Sequence, residues 1–261
     1  MIVIKLGGAA ITDKARLSVI KRKTIASAAR ILANHRDYIL VHGAGSFGHI
    51  PVNKYNLIGP ITSQRQLVGY AKTKASLLKL ESELVSILAD NGIPIAPVAA
   101  SSCLIVDRGR IVSQNFEPVA SMLKLGLVPC IGGDLVQDIS LGASVVSGDQ
   151  IAVRLGLAFH AHTIIFATDV DGLFTANPKL NHKARLISTL DLVRLQEWAE
   201  KAGPANVPDA SGGMRGKLNE IVPAVRAGVK VVIINLNKPQ RLQKAFTGNP
   251  VKGTTILEKA A

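Results

Sequence analysis

The sequence contains few aromatic residues, only two cysteines and no long apolar run. Aromatic residues make up 4% of the chain, which argues against a base-stacking surface for single-stranded nucleic acid. Cys103 and Cys130 lie in apolar segments without CxxC spacing, which excludes a structural zinc site and argues against a disulfide framework. No apolar run approaches the roughly 18 residues of a membrane span, and no signal-peptide pattern is present. We therefore expect a cytoplasmic protein without membrane association.

Negative charge is also scarce, with 18 Asp and Glu against 31 Lys and Arg, a net charge of +13. This surplus favours anionic partners. The basic residues are scattered, with only a short run at 21–23, so we expect no nucleic-acid partner. The 261 residues, 48% hydrophobic and 19% charged, exclude wholesale disorder and suit one large domain or two lobes.

Short β-rich runs alternate with segments of helical apolar spacing along the whole chain. The expected strands cover residues 2–6, 38–41, 95–98, 104–106, 128–131, 163–167 and 230–234. The expected helices cover residues 21–34, 64–90, 147–157, 216–227 and 240–246. This alternation predicts an α/β fold with a mostly parallel sheet, in which ligands bind at the carboxyl ends of the strands.

Three glycine clusters follow expected strands: Gly7-Gly8, the segment 43–48 and Gly132-Gly133. The second cluster has GxGxxG spacing, but the nearest downstream acidic residue is Glu81, 33 residues after the last glycine. A dinucleotide fold needs an acidic residue about 20 residues further on, so we reject that interpretation. The glycines still let backbone amides approach an anion.

Three lysines accompany these glycine-rich turns. Lys5 lies at a strand end just before Gly7-Gly8, Lys14 follows in the next turn and Lys217 lies in a glycine-rich turn into a helix. The segment 211–218 resembles a P-loop, but Ser211 occupies its first glycine position and Leu218 replaces the magnesium-binding hydroxyl residue. Lysines at glycine turns suit phosphoryl transfer, where catalysis consists mainly of positioning and charge neutralisation.

Six segments, in this order along nearly the whole chain, resemble the isopentenyl phosphate kinases of the amino acid kinase superfamily. They are KLGGAAITDK at 5–14, VHGAGSFGH at 41–49, SGDQ at 147–150, ATDVDGL at 167–173, SGGMRGK at 211–217 and GTTI at 253–256. The resemblance implies an open αβα sandwich formed by one domain over 1–261. It further implies an acceptor-binding part at about 1–160, an ATP-binding part at about 161–261, and a homodimer.

The resemblance also implies the reaction, in which ATP and isopentenyl phosphate give ADP and isopentenyl diphosphate. Magnesium would be held mainly by ATP phosphates and water, with no metal ligands from the protein. A phosphate monoester is already deprotonated near neutral pH because its second pKa is about 6, so no general base is needed. The obstacle to the reaction is the repulsion between the two anionic substrates. Two unit charges 4 Å apart repel by about 4 kcal/mol at an effective dielectric of 20.

Residue roles carried over from the resemblance divide between the two substrates. The ATP side takes Lys5, Leu6, Gly7, Gly8, Ala9, Gly45, Asp169, Gly213 and Lys217. The acceptor side takes Ala44, Gly45, His49 and Gly148, with Tyr70 against the isoprenoid tail on a helix that also carries Ala71, Thr73 and Leu77. Catalytic roles fall to Lys5, Lys14, His49 and Asp149, with Lys14 stabilising the transition state and Asp149 orienting the lysines.

Two departures from the family pattern stand in the sequence. Ala9 replaces a usual serine, which removes a hydroxyl donor while leaving the backbone amide. The segment 208–213 carries Ala210 and Ser211 where the family usually has Val and Thr. Two alternatives remain open: a related phosphate or phosphonate kinase such as a fosfomycin kinase, and a non-catalytic nucleic-acid-binding protein suggested only by the charge.

Overall fold

A central sheet of eight strands organises the molecule. The computed structural model describes residues 1–176, 178, 181–201 and 213–259. In spatial order the strands are β10 (Thr189–Leu190), β12 (Thr254–Ile256), β11 (Lys230–Asn235), β9 (Thr163–Thr168), β1 (Ile2–Leu6), β2 (Tyr38–His42), β6 (Val128–Gly132) and β3 (Ile95–Pro97). Every neighbouring pair is parallel except β11 with β12. The predicted α/β class with a mostly parallel sheet is confirmed.

A second sheet of four strands is formed by residues between 104 and 146. Its order is β5 (Arg110–Gln114), β4 (Leu104–Asp107), β7 (Asp134–Asp138) and β8 (Gly142–Val146). The outer pairs are antiparallel hairpins, and β4 pairs β7 in parallel. Of these strands the sequence pattern indicated only β4.

The helices lie between the strands. They are α1 (Gly8–Ile11), α2 (Arg22–Leu32), α3 (Gly45–Tyr55), α4 (Gln64–Asp90), α5 (Ala100–Cys103), α6 (Glu117–Lys124), α7 (Gly148–Ala158), α8 (Leu192–Lys201), α9 (Gly213–Arg226) and α10 (Pro239–Phe246). Helix α4 has the predicted bounds because Ser63 and Gln66 form a capping box at its start. Helix α3 escaped prediction, since Gly45, Gly48 and an internal Pro51 obscure its helical pattern.

Two apolar layers cover the two faces of the central sheet. Side chains of a strand alternate between faces, so Ile2, Ile4 and Leu6 pack with α2, α10 and the end of α4. Val3 points to the opposite face and packs in the layer that contains α7 and α9. This arrangement is the expected αβα sandwich. Lys5 shares the face of Val3 and therefore points toward α7.

The carboxyl ends of the inner strands meet at one edge of the sheet. The register aligns Leu6 of β1 with His42 of β2 and with Ala167 of β9, and aligns His42 with Gly132 of β6. The glycine turns that follow these strands are therefore neighbours in space. This is the edge where parallel α/β sheets bind ligands.

Asp138 holds the turns of the second sheet together. Its buried carboxylate accepts hydrogen bonds from the amides of Arg108, Gly109, Ser140 and Leu141 and from the Ser144 hydroxyl. Burial raises the pKa of this carboxyl, but the hydroxyl and amide donors outweigh burial and lower the pKa to about 2. The turn after β4 and the turn after β7 thus depend on one side chain.

Replacing Asp138 by alanine should lower the free energy of unfolding by about 2–4 kcal/mol, because buried donors lose a charged acceptor. Urea unfolding at pH 7 measures the loss. Asp107→Ala is the matched control on the neighbouring strand, since the half-buried Asp107 carboxylate accepts from the Ser140 hydroxyl alone among the described residues. Its cost should stay below about 1 kcal/mol. Equal losses in the two variants would contradict the assigned role of Asp138.

Candidate active site

Three glycine turns line the edge of the sheet as a continuous strip of backbone. The Gly7 amide donates to the Ala167 carbonyl at 2.7 Å, and the Gly43 amide donates to the Leu6 carbonyl at 2.9 Å. The Gly133 amide donates to the His42 carbonyl at 2.8 Å. Each turn is thus held to the end of the neighbouring strand, and the backbone row runs from β9 to β6.

The turns after β1 and β2 touch so closely that neither tolerates a side chain at the contact. A Cβ on Gly8 would lie 2.3 Å from the Gly45 nitrogen, and a Cβ on Gly43 would lie 2.6 Å from the Gly8 nitrogen. Gly45 also has a φ of +52°, a conformation that L side chains rarely adopt. Bare backbone at the amino ends of α1 and α3 forms a surface that an anion can approach.

The Thr12 side chain links the turn after β1 to the turn after β2 by hydrogen bonds. Its hydroxyl donates to the Gly8 carbonyl at 2.9 Å and accepts from the Ser46 amide at 3.1 Å. Thr12 is fully buried, and a Cβ on Gly45 would collide with its hydroxyl oxygen. The sequence indicated Thr12 only as part of a motif, and the structure gives it a positioning role.

Asp149 stands between two lysines beside the glycine turns. Its Oδ1 lies 2.7 Å from Lys5 Nζ, and its Oδ2 lies 2.6 Å from Lys217 Nζ. The three side chains are only 9%, 9% and 11% exposed for Lys5, Asp149 and Lys217. The cluster carries two positive charges and one negative charge, so its net charge attracts an anion.

The electrostatics of this cluster keep the Asp149 carboxylate ionised. Burial raises the pKa of the Asp149 carboxyl, but the ammonium groups of Lys217 and Lys5 outweigh burial and hold that pKa well below its usual range. Ser147 caps α7, its hydroxyl accepting from the Gln150 amide at 3.1 Å, and places Asp149 in the first turn. A carboxylate is favoured there by the helix dipole.

Two further contacts place Lys5 and Lys217. A Cβ on Gly148 would lie 3.2 Å from Lys5 Cε, so the bare backbone leaves room for the lysine to reach Asp149. The Lys217 ammonium also lies 4.9 Å from the centre of the Phe166 ring, a cation–π contact. Lys217 stands inside α9, which begins at Gly213, three residues before the predicted start at residue 216.

Lys14 and Asp169 form an ion pair between the loops that follow two neighbouring strands. Lys14 follows β1 in the chain, Asp169 follows β9, and Lys14 Nζ lies 2.8 Å from Asp169 Oδ2. The Lys14 side chain is 61% exposed, so this ammonium can turn toward a ligand. Asp13 shapes the turn by accepting from the Ala15 amide and from Arg16 Nε, both at 2.9 Å.

The remaining residues assigned to the acceptor lie at α3 and on α4. Ala44 is the residue before α3, and His49 is half-buried within that helix. Tyr70 of α4 packs against a small apolar cluster between α4 and the β7–β8 hairpin. Its hydroxyl donates to the Leu135 carbonyl at 3.4 Å and accepts from Gln137 Nε2 at 3.1 Å. Ala71 faces solvent and does not line this cluster.

A comparison of the sequence with known protein families shows where this chain belongs. A sequence model of the amino acid kinase family matches residues 1–235. The chain belongs to the amino acid kinase family. The expectation drawn from the six segments is therefore confirmed at the level of the family.

Individual relatives resemble this amino acid kinase over their full length. The isopentenyl phosphate kinase of Methanothermobacter thermautotrophicus is 34% identical, covering 99% of this chain and 100% of the relative. The isopentenyl phosphate kinase of Thermoplasma acidophilum is 27% identical, covering 97% of this chain and 100% of the relative. An X-ray structure of an isopentenyl phosphate kinase superposes with a TM-score of 0.85 at 32% identity, covering 98% of this chain and 99% of that chain.

Several assigned residues of this amino acid kinase lie in one place. The structure brings together Lys5, Leu6, Gly7, Gly8, Gly45, Gly148, Asp149 and Lys217 at the edge of the sheet, with Lys14 and Asp169 beside them. Ala9 lies in α1, and its carbonyl accepts from Lys21 Nζ at 2.8 Å. Gly213 is the first residue of α9, and the rest of segment 208–213, with Ala210 and Ser211, lies outside the described residues.

The cysteines and two histidines outside the site have no metal-binding arrangement in the described residues. Cys103 and Cys130 are buried free thiols, and His160 and His162 are exposed. Across the described ranges, no group of three or more His, Cys, Asp and Glu side chains is arranged to hold a metal ion. Nor does any helix within them combine the length and apolar character needed to cross a bilayer.

A cavity of about 30 Å³ lies behind the glycine turns and has a polar wall that the sequence did not reveal. Lys74 Nζ lies 2.5 Å from Asp134 Oδ2 and 3.3 Å from Ser101 Oγ. His42 is buried, and burial lowers its pKa to about 4, so its ring is neutral at pH 7. Burial, with the nearby Asp134, raises the pKa of Glu81 to about 7 despite the opposing effect of Lys74.

The stability of this amino acid kinase should therefore depend on the ionisation of Glu81. The folded-state pKa of about 7 lies above the ordinary value of 4.5, so stability is lost as the pH rises through 7. Relative to Glu81→Gln, the wild type should lose about 2 kcal/mol of unfolding free energy between about pH 5 and 8, one pKa unit being about 1.4 kcal/mol. Urea unfolding at both pH values measures this difference.

Glu83→Gln is the matched control on the same helix, because Glu83 pairs with Arg22 at the surface. This control should keep the pH dependence of the wild type. A wild-type protein whose stability changes with pH in parallel with Glu81→Gln would contradict the raised pKa of Glu81.

Proposed function

We propose that this chain is an isopentenyl phosphate kinase that transfers the γ-phosphoryl group of ATP to isopentenyl phosphate, giving ADP and isopentenyl diphosphate. The observation that carries the proposal is the Lys5–Asp149–Lys217 cluster beside three bare glycine turns. It is supported by the full-length similarity to proteins named isopentenyl phosphate kinase. Both substrates are anions, which agrees with a site built from ammonium groups and backbone amides.

The chemistry needs charge neutralisation rather than a base. The acceptor phosphate is deprotonated near neutral pH, since its second pKa is about 6. One of its oxygens forms a bond to the γ-phosphorus of ATP, and the bond from that phosphorus to the β,γ-bridging oxygen breaks, so that ADP leaves. Lys5, Lys217 and the amides of the glycine turns stabilise the charge on the transferred group. Asp149 fixes the two lysines and takes no proton.

The two substrates approach from opposite sides of the glycine turns. We assign ATP to the side of β9 and α9, where Leu6, Gly7, Gly8, Ala9, Gly45, Asp169, Gly213 and Lys217 contact it. We assign the acceptor phosphate to Ala44, Gly45, His49 and Gly148. The acceptor half then covers about residues 1–160 and the ATP half about residues 161–261. The missing hydroxyl at Ala9 leaves the backbone amide as the donor there.

The isoprenoid tail requires an apolar surface next to His49. Helix α4 supplies one beside α3, and we assign the tail to the cluster that contains Tyr70, Val52 and Leu135. Leu77 reaches the His49 turn, because a Cβ on Gly48 would lie 3.3 Å from Leu77 Cδ2. Thr73 is buried, and its hydroxyl donates to the Gly69 carbonyl at 2.7 Å.

The proposed reaction uses ATP as its complex with Mg²⁺. Mg²⁺ at nucleotide sites is held by one or two carboxylates, phosphate oxygens and water. Lysines dominate the site and Asp169 is paired with Lys14, so we assign the Mg²⁺ ligands to ATP phosphate oxygens and water, with none from the protein. Mg²⁺ would neutralise charge on the ATP phosphates. A homodimer and a cytoplasmic location complete the proposal.

Measuring ADP release with ATP, Mg²⁺ and a panel of acceptors tests the proposed reaction. The panel contains isopentenyl phosphate, dimethylallyl phosphate, geranyl phosphate, fosfomycin, UMP and acetylglutamate. We expect strong turnover on isopentenyl phosphate, with a diphosphate product identified by phosphorus NMR. Turnover on fosfomycin alone would replace this proposal with a phosphonate kinase, and silence on every acceptor would refute the assigned acceptor class.

Replacing His49 by alanine should act mainly on the acceptor. Loss of a hydrogen bond to a charged phosphate costs about 1.5–3 kcal/mol, so kcat/KM for isopentenyl phosphate should fall about 10- to 100-fold. The KM for ATP should change less than about twofold, because the proposal places the ring on the acceptor and not on the nucleotide. Steady-state kinetics with each substrate varied in turn measures the split.

The exposed His160 gives the matched control, since His160→Ala removes an imidazole far from the glycine turns. Its kinetics should equal those of the wild type. Unchanged acceptor kinetics in His49→Ala would remove His49 from the acceptor site.

Replacing Lys14 by alanine should lower turnover more than binding. Its ammonium acts on charge that develops in the transition state, and one such donor is worth about 100- to 1,000-fold in kcat. The dissociation constant of ATP should change less than about threefold. Lys124→Ala, an exposed lysine of α6, serves as control. A Lys14→Ala variant that binds ATP poorly but turns over normally would assign Lys14 to binding alone.

A further inference from the structure

The loop after β9 carries Asp169 and is held by side chains from three other elements. The first tie comes from Thr168, whose hydroxyl donates to the Val170 carbonyl at 2.9 Å and to the Ile234 carbonyl at 3.2 Å. The Leu236 amide donates to the Thr168 carbonyl at 2.8 Å. The start of the loop is thus bound to the end of β11.

Asp171 makes the second tie, two residues after Asp169. Arg241 Nη1 lies 2.8 Å from Asp171 Oδ1, and Nη2 lies 3.2 Å from Oδ2, so the guanidinium contacts both carboxylate oxygens. Asn235 Nδ2 donates to Oδ1 at 2.9 Å, and Lys252 Nζ lies 3.9 Å from Oδ2. The Arg241 side chain is only 14% exposed. Hydrogen bonding to Arg241 is the largest cause that lowers the pKa of Asp171.

Thr254 makes the third tie and explains the GTTI segment at 253–256. Its buried hydroxyl accepts from the Leu173 amide at 2.8 Å and donates to the Ile187 carbonyl at 2.6 Å. Gly172 packs against it so closely that a Cβ there would lie 2.5 Å from Thr254 Oγ1. The loop is therefore fixed at residues 168, 171 and 173, and Asp169 stands inside the fixed span.

We propose that Arg241 is a positioning residue for the nucleotide, which acts through Asp171 to fix the 168–173 loop and hold Asp169 opposite Lys14. The inference rests on the proposed function, because it takes ATP to bind beside Asp169. Arg241 lies on α10 and has no place in the six family-like segments. A planar guanidinium that holds both carboxylate oxygens resists rotation of the loop in a way that a single-point contact cannot.

The position of Arg241 allows a role in nucleotide binding to be distinguished from a contribution to folding stability alone. Arg241 joins α10 to the loop, while the acceptor residues Ala44 and His49 follow β2, two strands away from β9 in the sheet. Loss of the guanidinium should therefore loosen Asp169 and weaken nucleotide binding, and should leave acceptor binding unchanged. A purely structural pair would lower the free energy of unfolding with no preference between substrates.

Calorimetric titration of Mg²⁺-ADP into the full chain tests the inference without any acceptor. Arg241→Met should raise the dissociation constant of ADP at least about fivefold, and Arg241→Lys should recover part of the loss, since it restores the charge without the second contact. Asp171→Asn should weaken ADP binding in the same direction. Arg22→Met is the matched control, because Arg22 pairs with Glu83 on the opposite half of the chain, and it should bind ADP like the wild type.

Steady-state kinetics with each substrate varied in turn complete the test. The KM for ATP should rise with the dissociation constant, while the KM for isopentenyl phosphate should change less than about twofold. An unchanged dissociation constant for ADP in both Arg241→Met and Asp171→Asn would overturn the inference, as would an equal rise in the two KM values. Wild-type protein that binds ADP but leaves isopentenyl phosphate unphosphorylated would refute the proposed function alone, and the effect of Arg241→Met on ADP binding would still decide the inference.

Discussion

The salt bridges of Asp149 with Lys5 and Lys217 are the interaction on which the site depends. Burying two ammonium groups side by side is unfavourable, and one ionised carboxylate between them offsets that cost. The arrangement fixes both cations where the glycine turns leave room for an anion. The fold supplies each member from a different element: a central strand, the first turn of α7 and the interior of α9. A phosphate then meets charges that are already oriented.

The backbone around this cluster is as specialised as the side chains. The turns at Gly8, Gly43 and Gly45 approach within distances that exclude a Cβ, and Thr12 fixes them from the rear. The site thus combines fixed cations with fixed amide dipoles, which need little reorganisation when charge shifts. The polar cavity that His42, Gly132 and Gly133 help to line lies directly behind these turns.

Much of the fold could be predicted from the sequence because apolar runs bounded by glycine are strong local signals. The seven expected strands all exist, each within one residue at either end, and the α/β class follows from their alternation. Helix α3 and the β7–β8 hairpin escaped, since glycines and Pro51 hide the first and polar residues interrupt the second. Lys5, Lys217 and Asp149 were identified as a set by the family resemblance. Their direct contact, the polar cavity at Glu81 and the grip of Arg241 on Asp171 needed coordinates, because these partners lie far apart in the chain.

The position of β1 in the sheet has a consequence for how the chain is made. Strand β1 pairs on one side with β2 but on the other with β9, so Ile2 finds its partner at Thr163. During synthesis β1 is made before β9 and keeps one edge unpaired until the residues from Thr163 onward have left the ribosome. Lys5 likewise lacks its carboxylate until α7 appears. Pairings of such long sequence separation slow folding, so the nascent chain carries an exposed apolar strand edge of the kind that chaperones recognise.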